Sequence, residues 1–225
     1  MIDTVVFDLG GVLIEWDPRH LYRQLLAADE VDAFLDEVDF LTWNHGCDAG
    51  LPWDDAVAQL SARYPHRAEL IAAYPARFAE SLVGTFDDSV AILRELREAK
   101  VRLLALTNWS AESFRHALER FDFLEEFEGI VVSGQERVAK PDPRIFAILL
   151  DRFDLDPART MFIDDAERNV QAARSAGMHA VRFTGSEQLR VELAEAGLPV
   201  SPGFGAGSTS DHRARSTSRT RPAGP

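Results

Sequence analysis

The chain has a single cysteine, Cys47, among 225 residues, so no internal disulfide can form. That suits a reducing compartment, and a cytoplasmic protein is expected. No apolar run approaches the roughly 18 residues needed to cross a bilayer, so no membrane span is expected. The first residues carry no basic cluster ahead of an apolar stretch, which argues against a secretory signal. Positive charge is scarce as well: 24 Lys and Arg against 37 Asp and Glu give a formal net charge of −13. Affinity for nucleic acid comes largely from cations that neutralise phosphates, so no nucleic-acid partner is expected. The six histidines show no paired spacing of the kind that holds zinc.

Such cations as there are collect near one end. Arg213, Arg215, Arg219 and Arg221 against Asp211 give residues 199–225 a local charge of +3 and leave −16 on the remainder. That segment is Ser, Gly, Pro and Arg with one aromatic residue, Phe204, and cannot bury enough surface to offset the entropy of ordering it. It is expected to be disordered. Its "GFGAG" comes after no strand pattern and precedes no helix pattern, so it reads as linker rather than as a phosphate loop.

The rest is rich in apolar residues, which make up 46% of the chain and suffice for one α/β domain carrying an insertion. "VVF" at 5–7 suits a short strand covered on both faces. From about residue 87, helix and strand patterns alternate. Asp88 can cap a helix with the stripe Val90, Leu93 and Leu96; strands are expected at 101–106, 129–132, 160–163 and 180–183. Helices are expected from near Ser110, from Pro143, and up to a stop at Gly177. This alternation predicts a doubly wound parallel sheet with right-handed crossovers. Residues 15–84 hold no convincing strand but three amphipathic stretches: Leu21, Leu25 and Leu26; Phe34, Leu35 and Val38; Trp53, Val57 and Leu60. They read as a helical cap inserted into a core formed by 1–14 and 85–198.

Open α/β sheets place ligands at the carboxyl ends of their strands. Polar residues gather there in this sequence. Asp8 ends the first strand, and Gly10 and Gly11 after it allow close approach of the backbone to a ligand or positive φ. Thr107 and Asn108 come after the second, Ser133 and then Lys140-Pro141 after the third, Asp164 and Asp165 after the fourth. Two carboxylates about 4 Å apart repel by a few kcal/mol at an effective dielectric near 20. With Asp8 converging on them, the cluster wants a hard, oxygen-loving cation, and Mg²⁺ is the usual one where phosphate is also bound.

Taken together, "FDLGGVL", "LTNWS", "VAKPDPRIF" and "FIDDAERNV" resemble the four motifs of the haloacid dehalogenase superfamily, in order and at suitable spacing over about residues 2–195. The likeness is to its magnesium-dependent phosphatases with a small helical cap. The resemblance implies that Asp8 is the nucleophile, that the Gly10 carbonyl and Asp165 bind Mg²⁺, and that Asp164 acts directly or through water. It implies that Thr107, Asn108 and Lys140 hold the transferring phosphoryl group, with Asn169 supporting the phosphate region. The substrate expected is a small phosphorylated metabolite, a sugar phosphate being the first guess, cleaved through an aspartyl-phosphate.

One position departs from the pattern. Where such phosphatases carry a general acid two residues after the nucleophile, this chain has Gly10, and a positioned acid contributes typically 10²–10⁴-fold. If another group donates that proton, His45 of the cap is the candidate. Trp16, Trp43, His45, Asp48 and Trp53 are the cap residues expected near the substrate. Two other functions compete. A 2-haloacid dehalogenase would use the same Asp8 without metal, against the repulsion of Asp164 and Asp165. A non-catalytic phosphometabolite-binding protein would retain Thr107, Asn108 and Lys140 but release no phosphate.

Overall fold

A computed structural model describes residues 1–201. Five parallel strands form the central sheet: β1 (Thr4–Phe7), β4 (Arg102–Thr107), β5 (Gly129–Val132), β6 (Thr160–Asp164) and β7 (His179–Arg182), in the order β5-β4-β1-β6-β7. The expected doubly wound sheet is therefore present, and β1 lies at its centre. Every residue of β1 is buried, because alternate side chains meet different layers. Val5 and Phe7 pack in the cluster that includes Ile92 and Leu93 of α6 (Asp87–Glu98) and Leu189 of α11 (Ser186–Glu195). Val6 packs on the other face with Ile145 and Phe146 of α9 (Pro143–Arg152) and Val170 of α10 (Glu167–Ser175).

Helix signals read from the sequence hold in two places. Pro143 opens α9, and the Asp142 carboxylate accepts from the Arg144 N–H at 2.9 Å. Gly177, at φ +87°, stands just past the end of α10. Other boundaries move for local reasons. Helix α6 starts at Asp87 behind Phe86, so Asp88 lies inside the helix and does not cap it. The segment after Ser110 makes a turn first, and α7 spans only Phe114–Arg120.

The insertion contains five helices: α1 (Pro18–Tyr22), α2 (Ala28–Glu37), α3 (Phe40–Asp48), α4 (Trp53–Arg63) and α5 (Ala68–Ala76). Its ends are not strand-free, contrary to expectation. β2 (Ile14–Trp16) and β3 (Leu82–Thr85) pair antiparallel and form a neck between insertion and core. At three and four residues they are too short to show a period-2 pattern. The expected stripe of Leu21, Leu25 and Leu26 is also broken: α1 stops at Tyr22, leaving Leu25 exposed. Aromatic rings fill the cap interior, with Tyr74 touching Tyr22, Phe40, Trp43, Trp53 and Phe78.

The segment expected to be a disordered tail begins with three described residues, two of which are tied down. Val200 packs against the core, and the Ser201 N–H donates to Glu95 of α6 at 2.8 Å. Residues 202–225 lie outside the described residues. Among the described residues, no helix is long and apolar enough to cross a membrane.

Candidate active site

Because the sheet is parallel, β1, β4 and β6 deliver their last residues to one edge. Asp8 comes directly after β1, Thr107 ends β4 and Asp164 ends β6. Asp8, Asp164 and Asp165 each offer a carboxylate oxygen, and these oxygens lie within 4.8 Å of one another. Lys140, fully buried, reaches this edge from the loop before α9. Its Nζ lies 2.8 Å from Asp8 Oδ2 and donates to Asp164 Oδ2 at 2.6 Å and to the Leu106 carbonyl at 2.9 Å. An ammonium has three protons, and these contacts use all of them. Lys140 is thereby placed to neutralise both Asp8 and Asp164.

The remaining polar residues sort by what they touch. Asn108 brackets the backbone of Lys140: its Nδ2 donates to the Lys140 carbonyl at 2.9 Å, and its Oδ1 accepts from the Lys140 N–H at 2.8 Å. One Nδ2 proton is left for a ligand. Asn169 donates to Asp164 Oδ1 at 2.9 Å, and the Ala166 N–H donates to the same oxygen at 2.9 Å. Asn169 thus orients Asp164. Thr107 Oγ1 is buried without a protein partner, as befits a hydroxyl facing a ligand.

Adjacent aspartates have different tasks. The Asp164 side chain is fully buried and satisfied by Lys140, Asn169 and Ala166, whereas Asp165 is open to solvent. Of the two acids expected to be uncompensated, Asp164 is paired, and Asp165 has no ion-pair partner among the described residues. Burial raises the pKa of Asp8 ahead of the opposing pull of Lys140, and burial with Asp164 raises that of Asp165. Burial works against the Lys140 ammonium, but Asp164 and Asp8 outweigh it and hold its pKa raised. Three carboxylates around one ammonium leave a net charge of −2. All donors are hard oxygens, so the set fits a divalent cation such as Mg²⁺.

The two glycines differ. Gly11 sits at φ +76°, and a Cβ there would lie 2.7 Å from Asp165 Oδ2. Gly10 has ordinary φ and nothing within 4 Å of its would-be Cβ. Gly10 also lines a cavity of about 80 Å³ together with Trp16, Asn44, Asp48, Phe78, Asn108 and Trp109. Of the cap residues expected near substrate, Trp16 and Asp48 line it. His45, Trp43 and Trp53 do not, and the two tryptophans pack with tilted rings in the cap interior, their centroids 5.4 Å apart. Asn44, Phe78 and Trp109 were missed; only the i, i+4 spacing of Asn44 and Asp48 could have signalled one of them.

A profile of haloacid dehalogenase-like hydrolases matches residues 2–177. The chain belongs to that family. A curated relative of this hydrolase is the sesquiterpene phosphatase astK of Aspergillus oryzae, 28% identical over 192 residues, 84% of this chain and 94% of the relative. Among solved structures, a family enzyme from Bacteroides thetaiotaomicron in complex with magnesium and inorganic phosphate matches with a TM-score of 0.62, at 24% identity over 82% of this chain and 96% of that one. The L-2-haloacid dehalogenase of Xanthobacter autotrophicus matches with a TM-score of 0.60, at 18% identity over 89% of this chain and 85% of that one. The expected superfamily, fold and class of reaction, hydrolysis, are borne out.

Proposed function

We propose that this hydrolase is a Mg²⁺-dependent phosphatase that cleaves a small phosphorylated metabolite through an aspartyl-phosphate on Asp8. The carrying observation is the convergence of Asp8, Asp164 and Asp165 against the buried ammonium of Lys140. Asp8, the Gly10 carbonyl and Asp165 would hold the cation, with Asp164 behind them. When bound, Mg²⁺ would screen the charge of a phosphate dianion so that an anionic nucleophile can approach it. The chain's own residues do the rest. Asp8 Oδ1 accepts from the Leu9 N–H at 2.7 Å, which fixes the carboxylate, and Lys140 favours its ionised form. Thr107 Oγ1 and the free Asn108 proton face an incoming phosphoryl oxygen. Attack by Asp8 on phosphorus expels the alcohol, and water then hydrolyses the acyl phosphate, dividing one hard step into two easier ones. A cytoplasmic location and a sugar-sized substrate belong to the same proposal.

The dehalogenase alternative loses part of its objection, because Asp164 is neutralised by Lys140. Asp165 still presents an unpaired carboxylate that would repel a haloacid anion. The test is phosphate release from a panel of phosphomonoesters with and without Mg²⁺, with halide release from a 2-haloacid as a parallel arm. The expected result is phosphate release that EDTA abolishes and Asp8→Asn eliminates in folded protein. Full turnover in EDTA, or halide release instead, would overturn the reading.

A further inference from the structure

The space beside Gly10 raises the question of what protonates a departing alkoxide. The same cavity is lined by one acidic residue, Asp48 at the end of α3 in the cap. Asp48 is held at its backbone by the core and at its side chain by its own helix. Ser133 Oγ, at the tip of β5, donates to its carbonyl at 2.6 Å, and that hydroxyl also accepts from the Trp109 N–H at 2.9 Å. Asn44 Nδ2 donates to Asp48 Oδ2 at 3.1 Å, one helical turn back. A cap residue is thus pinned to the loops after β4 and β5. The cavity also shows signs of being built for a ligand. Asn44 Oδ1 and Trp109 Nε1, both buried and both on residues that line it, have no partner among the described residues.

Resting on the phosphatase reading above, we infer that Asp48 is the general acid and base of this hydrolase, supplying from the cap the proton-transfer group that Gly10 lacks.

In the first half-reaction Asp8 forms a bond to phosphorus as the ester P–O bond breaks. The bonding pair goes to the leaving oxygen, which takes the proton of the Asp48 carboxyl and departs as an alcohol. In the second, the Asp48 carboxylate takes a proton from water as its oxygen bonds to phosphorus. The P–O bond to Asp8 breaks, and its electron pair restores the Asp8 carboxylate. The net reaction is ester plus water to alcohol plus phosphate, and Asp48 ends protonated as it began.

The surroundings suit this task. Burial pushes the Asp48 carboxyl up to about 7, against the opposing pull of the Ser110 N–H and the Lys140 ammonium. Cys47 on its own helix and Tyr74 from α5 are the other titratable groups facing it, and burial holds both in their neutral forms at neutral pH. Glu112, which bonds the Trp53 N–H at 2.9 Å, is the nearby acid on the core side. His45, the donor considered from sequence, does not line the cavity, and burial followed by Arg168 lowers its pKa.

The test compares kcat/KM for para-nitrophenyl phosphate, a good leaving group, with that for an alkyl phosphate across pH. In the parent protein the alkyl-to-aryl ratio should fall as pH rises through about 7, because only the alkyl ester needs a protonated acid; groups that serve both esters cancel. Asp48→Asn should lower the alkyl rate by about 10²–10⁴-fold and the aryl rate far less. Adding Gly10→Asp, for which there is room, should restore much of the alkyl rate, whereas Gly10→Asn should not. A pH-independent ratio, or equal losses on both esters in Asp48→Asn, would overturn the role of Asp48 and leave the phosphatase standing. Absence of phosphate release from every ester in the parent would overturn the phosphatase reading itself.

Discussion

Gly11→Ala and Gly10→Ala are neighbouring changes of one methyl group with opposite expected consequences. At Gly11 the φ of +76° costs an alanine about 1–2 kcal/mol. The new Cβ would also stand 2.7 Å from Asp165 Oδ2, and relief to an ordinary 3.4 Å contact requires the carboxylate to retreat by about 0.7 Å. Asp165 is open to solvent and can swing away cheaply, so little further stability should be lost. Mg²⁺ tolerates no such shift, because it demands near-ideal octahedral geometry at about 2.0–2.1 Å. Gly11→Ala should therefore lower Tm by a few degrees, about 2–4 °C per kcal/mol at this size. It should raise the Mg²⁺ concentration for half-maximal phosphate release by at least about 10-fold. Gly10→Ala has ordinary φ and free space, so its stability should stay within about 0.5 kcal/mol of the parent and its Mg²⁺ requirement should not change. The assay is a Mg²⁺ titration of turnover beside thermal melts. A parent-like Mg²⁺ requirement in Gly11→Ala would remove Asp165 from the proposed ligands. Equal damage in both variants would refute the distinction between the two glycines.

Charge governs two further outcomes. Lys140→Met leaves Asp8 and Asp164 buried without their ammonium, so denaturant melts should show a loss of about 3–5 kcal/mol and turnover should disappear. A parent-like midpoint would mean that the pairing contributes nothing. Glu95 on α6 is held by Arg190 of α11 and the Ser201 N–H, and its pKa falls from 4.5 to about 2, the Arg190 hydrogen bond being the main cause. The folded chain then binds fewer protons there than the unfolded one. The stabilisation is complete above about pH 4.5 and is lost as pH falls towards 2. Its side chain is 28% exposed, so screening reduces the contribution to about 1–2 kcal/mol. Glu95→Gln should cost that much at pH 7 and less at pH 3, as read by denaturant melts at the two pH values; an equal loss at both would show that the charge is not responsible.

The core sheet was legible because each strand is a run of β-branched and apolar residues closed by turn chemistry, and because burial on both faces leaves no competing pattern. The neck strands were not. Ile14–Trp16 pairs with Leu82–Thr85 across 65 intervening residues, and a ladder of three or four residues is stabilised by that pairing and not by local preference. The helix expected at Ser110 failed for a different reason. Residues 111–113 form a turn closed onto the Ser110 carbonyl by the Ser113 N–H at 3.3 Å and the Phe114 N–H at 3.1 Å, and the helix proper starts only at Phe114.

At the site, position was legible and partnership was not. Every polar residue at a strand tip could be found from the end of its apolar run, since a parallel sheet sends all its tips to one edge. Which partner each would take depends on direction. Asp164 ends β6 with its side chain buried against Lys140 and Asn169, whereas Asp165 falls in the bend after the strand with its carboxylate near Gly11, a division of tasks that the adjacent pair does not reveal by itself. Asp48 could be read from the sequence only as a polar cap residue near the substrate: it lies 40 residues from Asp8, on a helix whose apolar and polar residues do not segregate, and the docking of α3 onto Ser133 brings it to the cavity that Gly10 lines. A group missing from the first motif is therefore not evidence of a missing function while an inserted domain can return a carboxylate to the same space.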